Sequence, residues 1–234
     1  DRSETYLEEM LCKFNYNFPS TKNFSDYARN TLRNIQYDNI DDMLVGWIER
    51  EEILFRTLEK YLIAERLSNG FHGNNFTDDF VKYSLTVQNR RKSRAGYSLE
   101  NQIEELLKMN NIRYDRNKKT ENNSKPDFIF PSIEEYHNPS FNASYLTMLG
   151  VKSTCKDRWR QILSEAGKIK HKHLLTLEPA ISQNQTEEMK FNSVQLVIPK
   201  NILNTYSIEQ QKNIWTVENF LNFVTNKQNI INCF

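Results

Sequence analysis

An aspartate and a lysine at the ends of two predicted strands are the residues whose types and spacing point most directly to catalysis. Asp127 follows Lys125-Pro126 and opens the apolar run Phe128-Ile129-Phe130, and Lys152 closes a second apolar run, 145–152. If these strands are neighbours, both side chains lie side by side at one edge of a sheet. A carboxylate there can bind a divalent metal ion, which polarises a phosphodiester and lowers the pKa of the attacking water. The lysine would stabilise the developing negative charge, so the pair indicates metal-dependent phosphodiester hydrolysis.

Sites of this kind usually have a second carboxylate two residues before the lysine, and that position is Gly150 here. Glu165, thirteen residues after the lysine, lies on a helix predicted over 159–169. It is seven residues beyond Arg158, so two helical turns bring both to nearly the same face, and we expect the helix to bring this carboxylate to the metal. Glu100, on an upstream helix, is an outer acidic candidate. From spacing alone, an ordinary surface role for these carboxylates stays open.

Length and composition are those of an ordinary globular chain. Its 234 residues are 38% hydrophobic and 26% charged, and we predict a single domain over residues 1–234. No apolar run is long enough to span a bilayer and no secretory signal is recognisable, so we expect no membrane partner. Cys12, Cys155 and Cys233 are widely spaced and resemble neither a disulfide framework nor a zinc site. Reduced thiols fit the cytoplasm of a bacterium or archaeon.

The hydrophobic pattern predicts a helical part followed by a part rich in strands. Residues 1–30 are rich in aromatic side chains without a clear period, and we interpret them as a tail or a dimer contact. Helices are predicted at 41–67, about 78–85, about 95–109, 159–169 and 214–224. Strands are predicted at 112–114, 127–130, 145–152, 173–177 and 194–198. This order favours an α/β fold with a mixed central sheet flanked by helices and a helical N-terminal part.

The net charge of +1 hides an uneven distribution of charged residues. The predicted phosphate contacts come from one basic run and are Arg90, Arg91, Lys92 and Arg94. A second basic set lies within 152–172, and acidic residues collect at 38–42 and 49–52. One basic face would attract the phosphates of double-stranded DNA, although such a run is more often a solvated face.

Four segments resemble the catalytic domain of the EcoRII-type restriction endonucleases. They are Lys125-Pro126-Asp127-Phe128-Ile129-Phe130, the stretch from Gly150 to Gln161 with Glu165, Asn89-Arg90-Arg91-Lys92-Ser93-Arg94-Ala95-Gly96, and His171-Lys172-His173-Leu174-Leu175-Thr176-Leu177. The resemblance covers residues from about 18 to 199. It implies a PD-(D/E)XK, or restriction-endonuclease-like, fold with a relocated glutamate. It also implies that Asp127 and Glu165 bind Mg²⁺, that Lys152 is the catalytic lysine and that Glu100 supports the site.

The same resemblance implies a DNA target. The family recognises cytosine–guanine pairs with a basic-acidic-basic triplet after the lysine, which is Lys156-Asp157-Arg158 in this sequence. Lysine and arginine can donate to guanine, and aspartate can accept from cytosine N4. The implied reaction is cleavage before the first cytosine of an interrupted CC/GG site (CCWGG-like), with the central base pair flipped out. Candidates for the flipped-base pocket are Arg50, Tyr136 and Trp47, although a Trp on an apolar helix stripe is more often core.

The resemblance also implies partners. We expect a homodimer on double-stranded DNA, and a cognate DNA methyltransferase in the same system without direct contact. Nothing in the sequence resembles the separate N-terminal effector domain of full-length EcoRII-type enzymes, so we expect an isolated catalytic domain or a short stand-alone enzyme. Two alternatives stay open, namely a catalytically silent sequence-specific DNA-binding module and a repair or structure-directed nuclease of the same fold. The retained Asp127, Lys152 and Glu165 disfavour the first, and the triplet disfavours the second.

Overall fold

The structure is a computed structural model that describes residues 5–72 and 75–231, without the side chains of Lys156 and Asp157. The chain forms two compact units. The first comprises residues up to Gln36 with Gly46–Gln102, and the second comprises Tyr37–Val45 with the residues from Ile103 onward. Each unit has a hydrophobic cluster of its own, and a single domain stays a prediction.

Helices make up the first unit. They are α1 (Thr5–Lys13), α2 (Thr21–Asn30), most of α3 (Ile40–Ser68) and most of α4 (Phe76–Met109). Aromatic rings from residues 5–30 fill the cluster between them, as where Phe24 meets Phe55 of α3 edge to face at 5.9 Å. Residues 5–30 are therefore mostly helical, although their sequence shows no clear helical period. A dimer contact by this segment stays a prediction.

The fourth helix is continuous where the sequence predicts two helices with a polar break between them. Residues 86–94 stay helical because their arginines have acidic partners on α3. Arg91 donates to both carboxylate oxygens of Glu59 at 2.9 Å. Arg94 is buried, pairs with Glu51 and Glu52, and places its guanidinium 4.2 Å from the ring centre of Phe55. Such pairs between distant residues leave no periodic signal in the sequence.

A five-stranded mixed sheet forms the centre of the second unit, as predicted, but its first strand lies at 115–116 and not at 112–114. Its strands are β1 (Asp115–Arg116), β2 (Phe128–Phe130), β3 (Thr147–Lys152), β4 (Lys172–Thr176) and β5 (Val194–Val197), in that spatial order. β1, β2 and β3 pair antiparallel, whereas β3, β4 and β5 pair parallel. The parallel strands are apolar along most of their length because both sheet faces are covered.

Helices and 3-10 turns cover the sheet of the second unit. The helices are α5 (Ile133–His137), α6 (Gln183–Phe191), α7 (Ile208–Gln211) and α8 (Val217–Ile231). One face, with Met148 and Leu174, packs against Trp159 and Ile162 of a 3-10 helix. On the other face, Phe130 and His173 contact Phe220 of α8. Within the described ranges, no helix is long and apolar enough to cross a membrane.

The buried His173 makes the stability of the fold depend on pH. Burial lowers its pKa to about 4, although a hydrogen bond of its Nδ1 to the Met148 carbonyl at 3.3 Å opposes the shift. The ordinary pKa of a histidine is 6.5, so below pH 6.5 the unfolded chain binds a proton that the buried His173 of the folded chain does not bind. The free energy of unfolding is therefore highest above pH 6.5 and falls as the pH decreases towards 4.

We therefore expect His173 to remove about 2 kcal/mol from the free energy of unfolding between pH 7 and pH 5. Urea denaturation of His173→Phe and of the wild type at both pH values measures this contribution. The free energy of unfolding of the variant should fall less than that of the wild type between these pH values. Equal pH dependence of His173→Phe and the wild type would contradict the assignment.

Candidate active site

Asp127 directly precedes β2 and lies beside the end of β3. The antiparallel register of β2 against β3 brings Asp127 opposite Gly150. Its Oδ2 accepts a hydrogen bond from the backbone N–H of Val151 at 2.6 Å and another from Nζ of Lys152 at 2.7 Å. The strand pairing thus places this carboxylate and ammonium next to each other, as expected from their positions in the sequence. Both side chains are largely buried.

Glu165 reaches the neighbourhood of this pair differently from the prediction. The chain forms a 3-10 helix over Lys156–Ser164 instead of an α-helix over 159–169, and Glu165 is the extended residue that ends it, with φ −85° and ψ 147°. A 3-10 helix repeats every three residues. Trp159, Ile162 and Glu165 therefore follow one another on one face, and both apolar residues are completely buried. The argument from two α-helical turns after Arg158 is wrong.

The same 3-10 helix explains the glycine at the position usually occupied by a carboxylate. A Cβ atom on Gly150 would lie 2.7 Å from Cγ2 of Ile162, which is closer than real Cβ contacts. A side chain at position 150 and Ile162 in its present place therefore exclude each other. The segment that delivers Glu165 fills the space that a carboxylate at position 150 would need.

Glu165 is a carboxylate whose charge is poorly compensated. Burial raises its pKa to about 7, and the negative charge of Asp127 adds to the rise, while Lys152 and Lys172 oppose it. Among the described residues, its Oε2 atom is buried and has no hydrogen-bond partner. A buried polar atom without a partner costs free energy unless something binds it. Two nearby carboxylates with one such oxygen are suited to a hard cation.

The residues of the predicted base-recognition triplet follow β3 at the start of the 3-10 helix. Arg158 is exposed, whereas the side chains of Lys156 and Asp157 lie outside the described part of the chain. Arg160, two residues later, pairs with Glu188 at 2.8 Å. Base recognition by the triplet stays a prediction.

The three residues predicted to bind a flipped base have different surroundings. Tyr136, in the second unit, is fully buried and its hydroxyl donates to both oxygens of the Glu121 carboxylate at 2.6 and 2.7 Å. Trp47, in the first unit, is 7% exposed. Arg50 is half-buried, 4.5 Å above the ring of Tyr6. A buried ring cannot stack on a base without rearrangement, so the structure gives no support to the assignments of Tyr136 and Trp47.

The predicted phosphate contacts also differ in accessibility. Lys92 is exposed, whereas Arg91 and the buried Arg94 are paired within the first unit. Arg90 is half-buried over the ring of Phe18, 3.8 Å from its centre. A phosphate contact by Arg91 or Arg94 would require an ion pair to open, and all four phosphate contacts stay predictions.

The two remaining residues are Glu100 and Lys172. Glu100 is half-buried on α4 in the first unit, whereas Asp127 belongs to the second, and its part in the site stays a prediction. Lys172 belongs to the second basic set of the sequence, but it is buried, and burial lowers its pKa against the effect of Glu165 and Glu121. The only signal of this in the sequence is that the lysine directly precedes the strand predicted over 173–177.

The described fold, with its mixed sheet and the Asp127–Lys152 pair at the end of β3, is that of the restriction endonucleases. Metal-depleted Ecl18kI in complex with uncleaved, modified DNA is similar, with a TM-score of 0.75 at 17% identity over 98% of this chain and 86% of that chain. The PspGI–substrate DNA complex has a TM-score of 0.71 at 17% identity over 91% of this chain and 94% of that chain. At this identity the likeness shows the fold alone.

The chain belongs to the EcoRII C-terminal family, whose model matches residues 55–221. The type II restriction enzyme EcoRII of Escherichia coli is 38% identical over 205 residues, which is 87% of this chain and 50% of that enzyme. The chain thus spans about half the length of this curated relative. The resemblance deduced from the motifs is confirmed.

Proposed function

We propose that this chain is the catalytic domain of a type II restriction endonuclease, which hydrolyses DNA phosphodiester bonds at a specific site. The observation that favours this most is the grouping of Asp127, Lys152 and Glu165, with a buried Glu165 oxygen that lacks a partner. The membership in the EcoRII C-terminal family supports the same activity. DNA is present in the similar Ecl18kI and PspGI structures, which makes double-stranded DNA the substrate we propose here.

We further propose Mg²⁺ as the metal ion, held by the carboxylates of Asp127 and Glu165. Within the described residues no cluster of three or more His, Cys, Asp or Glu could hold a metal. A pair of carboxylates fits Mg²⁺, which commonly keeps several waters and takes further ligands from substrate phosphate. When bound, the ion would supply charge stabilisation at the scissile phosphate and an activated water.

The protein residues would divide the remaining work. The ammonium of Lys152 lies 2.7 Å from Oδ2 of Asp127, so it is held in one place and can stabilise negative charge on a neighbouring phosphate without reorganisation. The backbone N–H of Val151 fixes the same oxygen, which limits how far the Asp127 carboxylate can turn. Glu165 would contribute negative charge from the segment that connects β3 to β4.

The proposed target is an interrupted CC/GG sequence of the CCWGG type, cut before the first cytosine, with the central base pair flipped out. This follows the family resemblance and the Lys156-Asp157-Arg158 triplet, whose donor and acceptor types suit guanine and cytosine edges. The proposed assembly is a homodimer, because two identical subunits suit two identical half-sites. A cognate methyltransferase would protect the host DNA without contacting this chain.

Digestion of a plasmid with mapped CCWGG sites, with and without Mg²⁺, tests the proposal. Discrete fragments that appear only with Mg²⁺ are expected. Specific retardation of a CCWGG duplex without cleavage would instead identify a silent DNA-binding module. Cleavage unrelated to these sites would identify a structure-directed nuclease of the same fold.

Replacing Arg158 with alanine is expected to weaken discrimination at one guanine. A lost arginine–guanine contact costs roughly 1–3 kcal/mol, so binding to the target should approach binding to a duplex changed at that base pair. Competition between the two duplexes measures the difference. Arg160→Ala is the matched control, because Arg160 pairs with Glu188 and its loss should leave discrimination intact. Unchanged discrimination in Arg158→Ala would contradict the assignment.

A further inference from the structure

Lys172 opens β4 and is only 6% exposed. Its Nζ atom donates to the carbonyl of Glu165, to that of Ala166 at 3.2 Å and to that of Ile169 at 3.1 Å. A lysine ammonium has three N–H donors, so these carbonyls of one short segment account for all of them. The buried charge of Lys172 is therefore solvated by the backbone of residues 165–169.

This contact acts on the backbone of Glu165 and not on its carboxylate. The three hydrogen bonds of the ammonium go to main-chain oxygens and not to the side chain of Glu165. Its Oε2 atom stays buried without a hydrogen-bond partner in the described part of the chain. Lys172 thus fixes the backbone position of Glu165 and leaves its Oε2 atom available to a cation.

A second contact holds the same segment from the loop that leads to Asp127. The Glu121 carboxylate accepts a hydrogen bond from the backbone N–H of Gly167 at 3.2 Å and one from the Tyr136 hydroxyl at 2.6 Å. The Tyr136 hydroxyl in turn accepts from the backbone N–H of Lys168 at 3.3 Å. The segment 165–169 is thereby fixed on one side by β4 and on the other by the approach to Asp127.

We infer that Lys172 and Glu121 are positioning residues, which hold the Glu165 carboxylate at the distance from Asp127 that a divalent cation requires. The inference rests on the proposed function of this site. Neither residue would touch the DNA or the cation, and both would act through the backbone of residues 165–169. The relocated glutamate needs such support because it follows a 3-10 helix and is not part of a strand, where neighbouring chains would fix its backbone.

Lys172→Met and Glu121→Gln test the inference, with Lys212→Met as the matched control, since Lys212 is an exposed lysine that pairs with Glu209 outside the basic set. Two quantities are measured, namely the Mg²⁺ concentration for half-maximal cleavage and the rise in melting temperature that Mn²⁺ produces without DNA. Loss of groups that orient metal ligands lowers metal affinity roughly 10–100-fold. We expect an increase of that size in the Mg²⁺ midpoint of Lys172→Met, with most of the maximal rate recovered at saturating Mg²⁺, and a smaller increase in Glu121→Gln.

The results separate positioning from a purely structural role. A lower melting temperature with an unchanged Mg²⁺ midpoint and an unchanged Mn²⁺ effect would overturn the inference, since only folding would then depend on Lys172. If Lys172→Met does not fold, Glu121→Gln decides, because the exposed Glu121 can be changed without leaving a buried cavity, and a wild-type midpoint would overturn the inference.

Failure of the proposed function has a different signature. A wild-type protein that binds DNA but never cleaves it would refute the nuclease. In that case the rise in melting temperature produced by Mn²⁺ would still test the inference. A wild-type protein that Mn²⁺ does not stabilise has no cation site for Lys172 to position, and this result would overturn the inference.

Discussion

Replacing Lys152 with methionine is expected to lower the rate of DNA cleavage by roughly 10²–10³-fold at saturating Mg²⁺, the loss seen when one preorganised donor to a developing charge is removed. The ammonium of Lys152 is held 2.7 Å from Oδ2 of Asp127, so it would lie beside a phosphate bound at the proposed metal site. Methionine keeps the length of the side chain and removes its charge. Binding to a CCWGG duplex should persist, because the proposed base contacts come from the segment after Lys152.

Rapid-quench cleavage of the duplex and a parallel binding titration measure the two effects separately. Lys212→Met is a suitable control, since Lys212 is an exposed lysine that pairs with Glu209, and it should cleave at the wild-type rate. Asp127→Asn should resemble Lys152→Met or be worse, because it removes a proposed metal ligand as well as the partner of the lysine. A Lys152→Met enzyme as fast as wild type would show that the catalytic centre lies elsewhere.

The adjacency of Asp127 and Lys152 was predictable because it follows from strand order and register. Both residues stand at strand ends, and strands that pair bring their ends together whatever the rest of the chain does. The mixed sheet was predictable for a similar reason, since short apolar runs between polar loops leave a local signal.

The position of Glu165 was not predictable from the same rules. Apolar residues at 159, 162, 163, 166 and 169 fit an α-helix, but the chain forms a 3-10 helix over Lys156–Ser164. The choice between the two depends on how Ile162 packs over Gly150 and on how Lys172 binds the carbonyls that follow. Gly150 and Lys172 lie outside the 3-10 helix itself, and the hydrophobic period within the helix does not report such contacts.

The residues whose surroundings differ most from the prediction have polar groups that bind other parts of the protein. Tyr136, Arg94 and Lys172 have side chains that in a sequence suggest stacking, phosphate binding and a basic surface. In the structure they bind Glu121, the acidic residues of α3 and the backbone of residues 165–169. Residue type limits what a side chain can bind, but only the fold determines whether the partner is a ligand or another part of the chain.

Glu165→Gln is expected to separate function from stability. Glutamine has the same shape and cannot provide the anionic ligand that Mg²⁺ requires, so cleavage should be lost nearly as completely as in Asp127→Asn, and Mn²⁺ should no longer raise the melting temperature. Without metal the variant should be more stable than the wild type at pH 8. The reason is that the pKa of Glu165 is raised to about 7 in the folded protein. Ionisation of this buried carboxylate at pH 8 costs free energy in the folded state but not in the unfolded chain.

The sign of this effect follows from proton binding. The folded chain holds a proton on Glu165 up to about pH 7, whereas the unfolded chain releases it near 4.5, so stability relative to a neutral side chain falls as the pH rises from 4.5 to 7. At pH 8 the variant should gain about 1 kcal/mol, after allowance for partial exposure of the carboxylate. Glu178→Ala is a control, since Glu178 accepts a hydrogen bond from the backbone N–H of Cys155 and removal of this acceptor should destabilise the fold. Chemical denaturation at pH 5 and pH 8 measures the difference in stability. Full cleavage by Glu165→Gln would refute the role of Glu165 as a metal ligand, because a carboxylate that can be neutralised without loss of activity is not part of the site.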